Sequence, residues 1–87
     1  MVHTLKTWPV FFKAVEDGIK PFDLRKADRL YASGDTLVLQ EYEPEGISYT
    51  GKEITFFISY ILRDTDFPAA IKKGYCILGL KKEEKFV

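Results

Sequence analysis

A chain of 87 residues that is 46% hydrophobic, with seven Phe, five Tyr and one Trp, has large side chains enough for one core and too little length for two domains. Thirteen Lys and Arg against thirteen Asp and Glu leave no net charge, which argues against gripping long nucleic acid by bulk electrostatics. A lone cysteine excludes an internal disulfide and a Cys-rich zinc site, and a lone histidine excludes a multi-histidine metal centre.

HTLK suits a short opening strand. In TWPVFFKAVEDG, Trp8, Phe11, Phe12 and Val15 recur at i, i+3, i+4 and i+7, one face of an amphipathic helix of about ten residues. Thr7 or Trp8 takes the cap, and Pro9 is tolerated in a first turn, where its missing N–H had no partner. Gly18 suits the left-handed residue that ends the helix. KPFDLRK alternates, with Phe22 and Leu24 on one face and Asp23 and Arg25 on the other, and reads as a strand.

YASGD supplies a turn, TLVLQEYE a strand interrupted at Pro44, and PEGISYTG a hairpin connection. KEITFFISYILRD, almost wholly apolar over residues 54–62, is expected to be a central strand buried on both faces, or one bent around a barrel. DTDFPAAIKKG reads as a loop with at most one helical turn, and GYCILGLKK as a last strand. Cys76 is in phase with Leu78 and Leu80 and is read as a small buried hydrophobe rather than a nucleophile. Residues 81–87 are expected to be a charged, fraying tail.

One strand, one helix and four further strands, with connections too short for repeated parallel crossovers, predict a single α+β, mostly β domain over residues 1–87. Its expected form is a small, mostly antiparallel sheet of about five strands, curled into an open or closed barrel with the helix plugging an end or a face. MVHTLKTWPVFF is broken by His3, Lys6 and Pro9 and is too short for a signal or a membrane span, so a cytoplasmic protein with no membrane partner is expected.

Neither a G-x-G-x-x-G nor a G-x-x-x-x-G-K-[ST] loop is present, and no cofactor or metal is expected. His3 lies near the terminus, a poor place for the one base on which Ser-His or Cys-His catalysis would depend. Glu41 and Glu43 fit a wet strand face better than an acid/base pair. The informative stretch is GIKPFDLRKADR, where Lys20, Arg25, Lys26 and Arg29 outnumber Asp23 and Asp28. The residues alone leave two readings: a binding surface, or a solvated strand face on which Arg25 pairs Asp23 or Asp28.

Gly18, Lys20, Asp23 and Arg25 follow the pattern G-x-K-x-x-E-x-R with Asp in place of Glu. Lys26, Ala27, Asp28 and Arg29 then match a K-N-D-R-like continuation, and Gly34, Asp35 and Leu37 a G-D-x-L strand. With the helix bearing Trp8, Pro9 and Phe12 and the ending GYCILGL, nearly the whole chain resembles the ASCH/PUA-like domains, in particular their short bacterial and phage-type members, often classed as a domain of unknown function.

That resemblance implies a PUA-like barrel and binding of RNA or nucleotides in a cleft beside the helix and the motif strand. Lys20, Arg25, Lys26 and Arg29 would donate to phosphate or base edges, Asp23 would orient them, and Trp8, otherwise a core residue, would stack. Gly18, Asp28, Gly34 and Asp35 would hold the motif's shape, and Tyr49 would flank the cleft or cap its turn. Some small ASCH proteins are amidohydrolases acting on acetylated cytidine through a lysine, a threonine and a glutamate. Lys20 matches the lysine, but Asp23 stands where the threonine would, and only Glu53 offers itself as the glutamate. An enzyme of this type would use Lys20 with Asp23 as a base on water, hydrolysing a small amide on a nucleoside. A third possibility is a protein-interaction domain using the barrel edge or the charged tail.

Overall fold

A computed structural model describes residues 1–82 and contains, in chain order, β1 (Val2–Thr7), α1 (Pro9–Glu16), β2 (Phe22–Lys26), β3 (Thr36–Glu43), β4 (Ser48–Arg63) and β5 (Tyr75–Lys81). All five strands share one sheet in the order β1-β3-β4-β5-β2. β1 runs parallel to β3 and every other pairing is antiparallel. The sheet curls into a half-barrel with one short helix after the first strand, which is the mostly β class expected from the sequence.

Much of the curl comes from β4. Its first part pairs with β3 and its second part with β5, and the register slips between Ile58 and Ile61. An extra residue on one strand bends and twists it, so β4 turns from one side of the half-barrel to the other. The strand is bent as expected, but it is not buried on both faces: Phe56 and Ile58 are buried while Thr55, Ser59 and Tyr60 are exposed. One helix covers only one face of an antiparallel sheet, and the other face meets water.

Leu5, Leu37, Leu39, Phe56, Ile58, Cys76 and Leu78 meet inside with Val15 of α1 and with Tyr31. Cys76 is fully buried, and burial pushes its thiol pKa up, which suits a packing residue. The helix stripe divides: Phe12 and Val15 are buried, whereas Trp8 and Phe11 are about half exposed, at 54% and 47%. α1 ends as its glycine predicts, with Gly18 at φ +74°, its N–H donating to the Val15 carbonyl and that of Ile19 to the Ala14 carbonyl. This stop turns the chain into β2.

At the far end of β1, the Asp35 carboxylate accepts from the Met1 amine, from the Ala32 N–H and at 2.8 Å from His3 Nε2, while the His3 ring packs 4.7 Å from that of Tyr31. His3 is thus a buried tie between β1 and the approach to β3. Asp64 plays a similar part before β5, accepting from the N–H groups of Thr65 and Gly74 and closing a loop that holds one helical turn at Phe67 to Ile71. Lys81 is the last residue of β5, paired with Phe57, rather than the first of a loose tail; residues 83–87 lie outside the described residues. Among the described residues no helix is long and apolar enough to cross a membrane.

Candidate functional site

β1 and β2 are the two edges of the curled sheet, and the motif side chains span the gap between them. Asp23 and Arg25 are two residues apart on β2 and share a face, which here points inward: Asp23 is 5% exposed, against 45% and 57% for Phe22 and Leu24. The alternation was legible in the sequence; its sense is the reverse of an apolar-in strand. Burying a carboxylate is costly unless it is paired and hydrogen-bonded, and Asp23 is both. Its Oδ1 accepts from Lys20 Nζ at 3.2 Å and its Oδ2 from Arg25 Nε at 2.6 Å.

Each cation also serves an open sheet edge. Lys20 Nζ donates to the Phe22 carbonyl on β2 at 2.9 Å, and Arg25 Nη2 donates across the gap to the Lys6 carbonyl and to Thr7 Oγ1 on β1, at 2.8 and 3.1 Å. Main-chain acceptors on an edge strand otherwise invite another strand. The charged cluster therefore clasps the half-barrel where no backbone pairing closes it.

Beside the clasp is a cleft of about 310 Å³, lined by Lys6, Thr7, Trp8, Phe11, Lys20, Asp23, Leu24 and Arg25. That is the small end of ligand-binding clefts. Its aromatic wall is Trp8 against Phe11, ring centroids 6.2 Å apart and planes 22° from parallel. The Lys20 ammonium lies 5.7 Å from the Phe11 ring and 5.1 Å from that of Phe22. Trp8 is also the N-cap of α1, and its side chain makes no cap hydrogen bond.

Residues 2–80 match the model of a protein family described as a domain of unknown function, DUF3850. The chain belongs to the DUF3850 family. Over 53 residues it is 38% identical to an uncharacterized 12.9 kDa protein of Escherichia phage P2, a match covering 61% of this chain and 47% of that protein. The DUF3850 chain therefore spans about half the length of that relative.

Of the residues singled out from its sequence, Lys20, Asp23, Arg25 and Trp8 of this DUF3850 chain converge on the cleft. Lys26 ends β2 and Arg29 follows in the loop; both are exposed and neither lines the cleft. Gly18 shapes the turn before Lys20, Asp28 is exposed, and Gly34 and Asp35 hold the opposite end of β1. Tyr49 lies within β4 rather than in a loop, 5.1 Å from Tyr42, with Lys6 Nζ 4.4 Å from the Tyr42 ring. Glu53 is exposed beside Gln40 and does not line the cleft, and Glu41 accepts from the Thr50 hydroxyl.

Thr7 and Phe11 reach the cleft without having been picked out for it. Thr7 does not cap the helix: it continues the inward phase of His3 and Leu5 on β1, a pattern that could have placed it. Phe11 looked like core because helical spacing does not show where a stripe leaves the protein. Among the described residues no group of three or more His, Cys, Asp or Glu is placed to hold a metal ion.

Proposed function

We propose that this DUF3850 domain is a non-enzymatic module that binds RNA or a nucleotide-like molecule in the cleft between β1, β2 and the start of α1. The observation that carries this reading is the meeting of ammonium, carboxylate and guanidinium groups with two half-exposed rings in one concavity. Cations recognise phosphate, and exposed aromatic faces accept bases of any sequence. The half-barrel, with its helix after the first strand and its motif strand beside that helix, supports the likeness to ASCH/PUA-like domains and hence a PUA-like reading of the fold.

An amidohydrolase is the weaker reading. A general base must reach the water it deprotonates, and Asp23 is buried, with each oxygen already accepting from a cation. Glu53, the one candidate for a proton shuttle, lies off the cleft.

Trp8 is the single tryptophan, so its fluorescence reports on the cleft directly. Titration with short single-stranded RNAs at low and moderate salt is expected to quench it, more weakly at the higher salt. Trp8→Ala, followed by filter binding, is expected to cost about tenfold in affinity, the lower range for one stacked base. Absence of binding at both salt concentrations overturns the proposal.

A further inference from the structure

Lys20, Arg25 and Thr7, which meet at the clasp, hold protons that the protein leaves unused. Lys20 Nζ has three and spends two, on the Phe22 carbonyl and on Asp23. Arg25 commits Nε and Nη2, while Nη1 meets no acceptor among the described residues. Thr7 is 4% exposed; its Oγ1 accepts from Arg25, and its own hydroxyl proton finds no acceptor among the described residues. Among the described residues the one side-chain carboxylate lining the cleft is that of Asp23, which Lys20 and Arg25 already occupy. The floor is therefore rich in donors, with Lys20 and Arg25, and Lys6 at its wall, against one carboxylate.

We infer that this floor is an oxyanion subsite for the phosphate of a nucleotide, with Thr7 as its hydroxyl donor, and that the base lies outward on Trp8 and Phe11. The inference rests on the nucleotide-binding reading above and assigns the ligand's direction within it. The Watson–Crick edge of every base carries at least one N–H, for which the floor offers only the Asp23 carboxylate that both cations already engage, and an unpaired buried donor weakens binding. A phosphate has acceptors alone and a negative charge, which the surplus of cations favours. The base edge that presents two adjacent acceptors is the O6/N7 side of guanine. Recognition through the phosphate is indifferent to the base; recognition of that edge is specific for guanine.

The test is a Trp8 fluorescence titration with AMP, CMP, GMP and UMP and with their four nucleosides. The expected result is four monophosphates within about threefold of one another and each about tenfold or more tighter than its nucleoside. Thr7→Val is expected to weaken the monophosphates by about fivefold or more and leave the nucleosides unchanged, with Thr7→Ser restoring the loss if Thr7→Val perturbs folding. Nucleosides that match their monophosphates, or guanosine that matches GMP, overturn the phosphate assignment while nucleotide-class binding stands. Monophosphate affinity unchanged in both Thr7 variants removes Thr7 from the subsite. Silence from all eight compounds and from short RNAs overturns this inference together with the reading beneath it.

Discussion

Arg25 Nη2 stands 2.8 Å from the Lys6 carbonyl oxygen, a bond between residues 19 apart in sequence that joins the two edge strands of a sheet whose edges never pair. Through Nε the same guanidinium holds the buried Asp23, so one side chain closes the half-barrel and neutralises a carboxylate inside it. Removing one partner of a buried pair leaves an uncompensated charge and costs about 3–5 kcal/mol when burial is complete. Arg25 is 22% exposed and Lys20 remains on Asp23, so Arg25→Met is expected to cost about 2 kcal/mol. Adding Asp23→Asn to it should recover part of that loss. Urea unfolding midpoints of the two single variants and the double variant give the coupling, and strictly additive losses would show that the pair is not energetically linked.

Acid should loosen the opposite end of β1. The His3 hydrogen bond, aided by the Ala32 N–H and the Met1 amine, holds the Asp35 carboxyl below its ordinary range. A carboxyl whose pKa is lower folded than unfolded adds stability that is complete above its unfolded pKa of about 3.9 and disappears as the pH falls through the folded value. Asp64, lowered chiefly by the Gly74 N–H, acts in the same direction. Stability measured from neutral pH downward should therefore stay level until the ordinary carboxylate range and then fall. Asp35→Asn should be less stable at neutral pH and show a shallower acid limb; a limb parallel to that of the parent chain would exclude Asp35 as its source.

The element order, the Gly18 stop and the meeting of Lys20, Asp23, Arg25 and Trp8 at one place were legible because each follows from local pattern: periodicity, a left-handed glycine, a motif with several pieces in order. The sense of β2 was not. Alternation separates two faces but does not say which is inside, and the usual rule that apolar faces turn inward fails where two cations neutralise one acid. Thr7 was missed because its role depends on the curl of the sheet, which brings it to Arg25 across 18 residues. The burial of β4 was overestimated because its apolar run serves a bend between two neighbours rather than a layer covered on both sides.

Gly18 delivers Lys20 to Asp23, so its substitution tests the turn and the site together. At φ +74° it has no neighbour within 4 Å of an added Cβ, and the cost of a side chain there is backbone strain alone. Gly18→Ala is expected to lose about 1 kcal/mol and Gly18→Asn less, since Asn tolerates the left-handed region better. Thermal or urea unfolding ranks the two, and equal stability of all three chains would place the helix stop elsewhere.

Gly79 presents the opposite case, open backbone and a crowded neighbour. It pairs with Phe22 on β2, and on its β4 side an added Cβ would come within 2.6 Å of Ser59 Oγ, beside the irregularity that bends β4. Ser59 is exposed and its hydroxyl is the end of a short side chain, so Gly79→Ala is expected to cost about 1 kcal/mol through local repacking. Trimming the obstacle with Ser59→Ala in the same chain should remove that cost. The double variant then gains from a less flexible unfolded chain, by about 0.5 kcal/mol. A double variant no more stable than Gly79→Ala alone would mean that the strain lies in the backbone at Tyr60 and not in the serine.

The salt dependence of RNA binding separates the cations of the cleft from those beyond it. For single strands the logarithm of the binding constant falls with the logarithm of salt concentration with a slope of about −0.7 per phosphate neutralised. One phosphate on the Lys20 and Arg25 floor predicts a slope of about −0.7, or about −1.4 with a second on Lys6 at the cleft wall, and recruitment of Lys26 and Arg29 along the exposed loop adds about −1.4 more. The geometry favours the shallow value, because neither Lys26 nor Arg29 lines the cleft and the chain has no net charge to attract phosphates at a distance. Fluorescence titrations across a tenfold range of salt measure the slope. If it is steep and becomes shallow in Lys26→Ala with Arg29→Ala, the interface extends out of the cleft along the strand that follows Gly18, as the sequence motif alone implied.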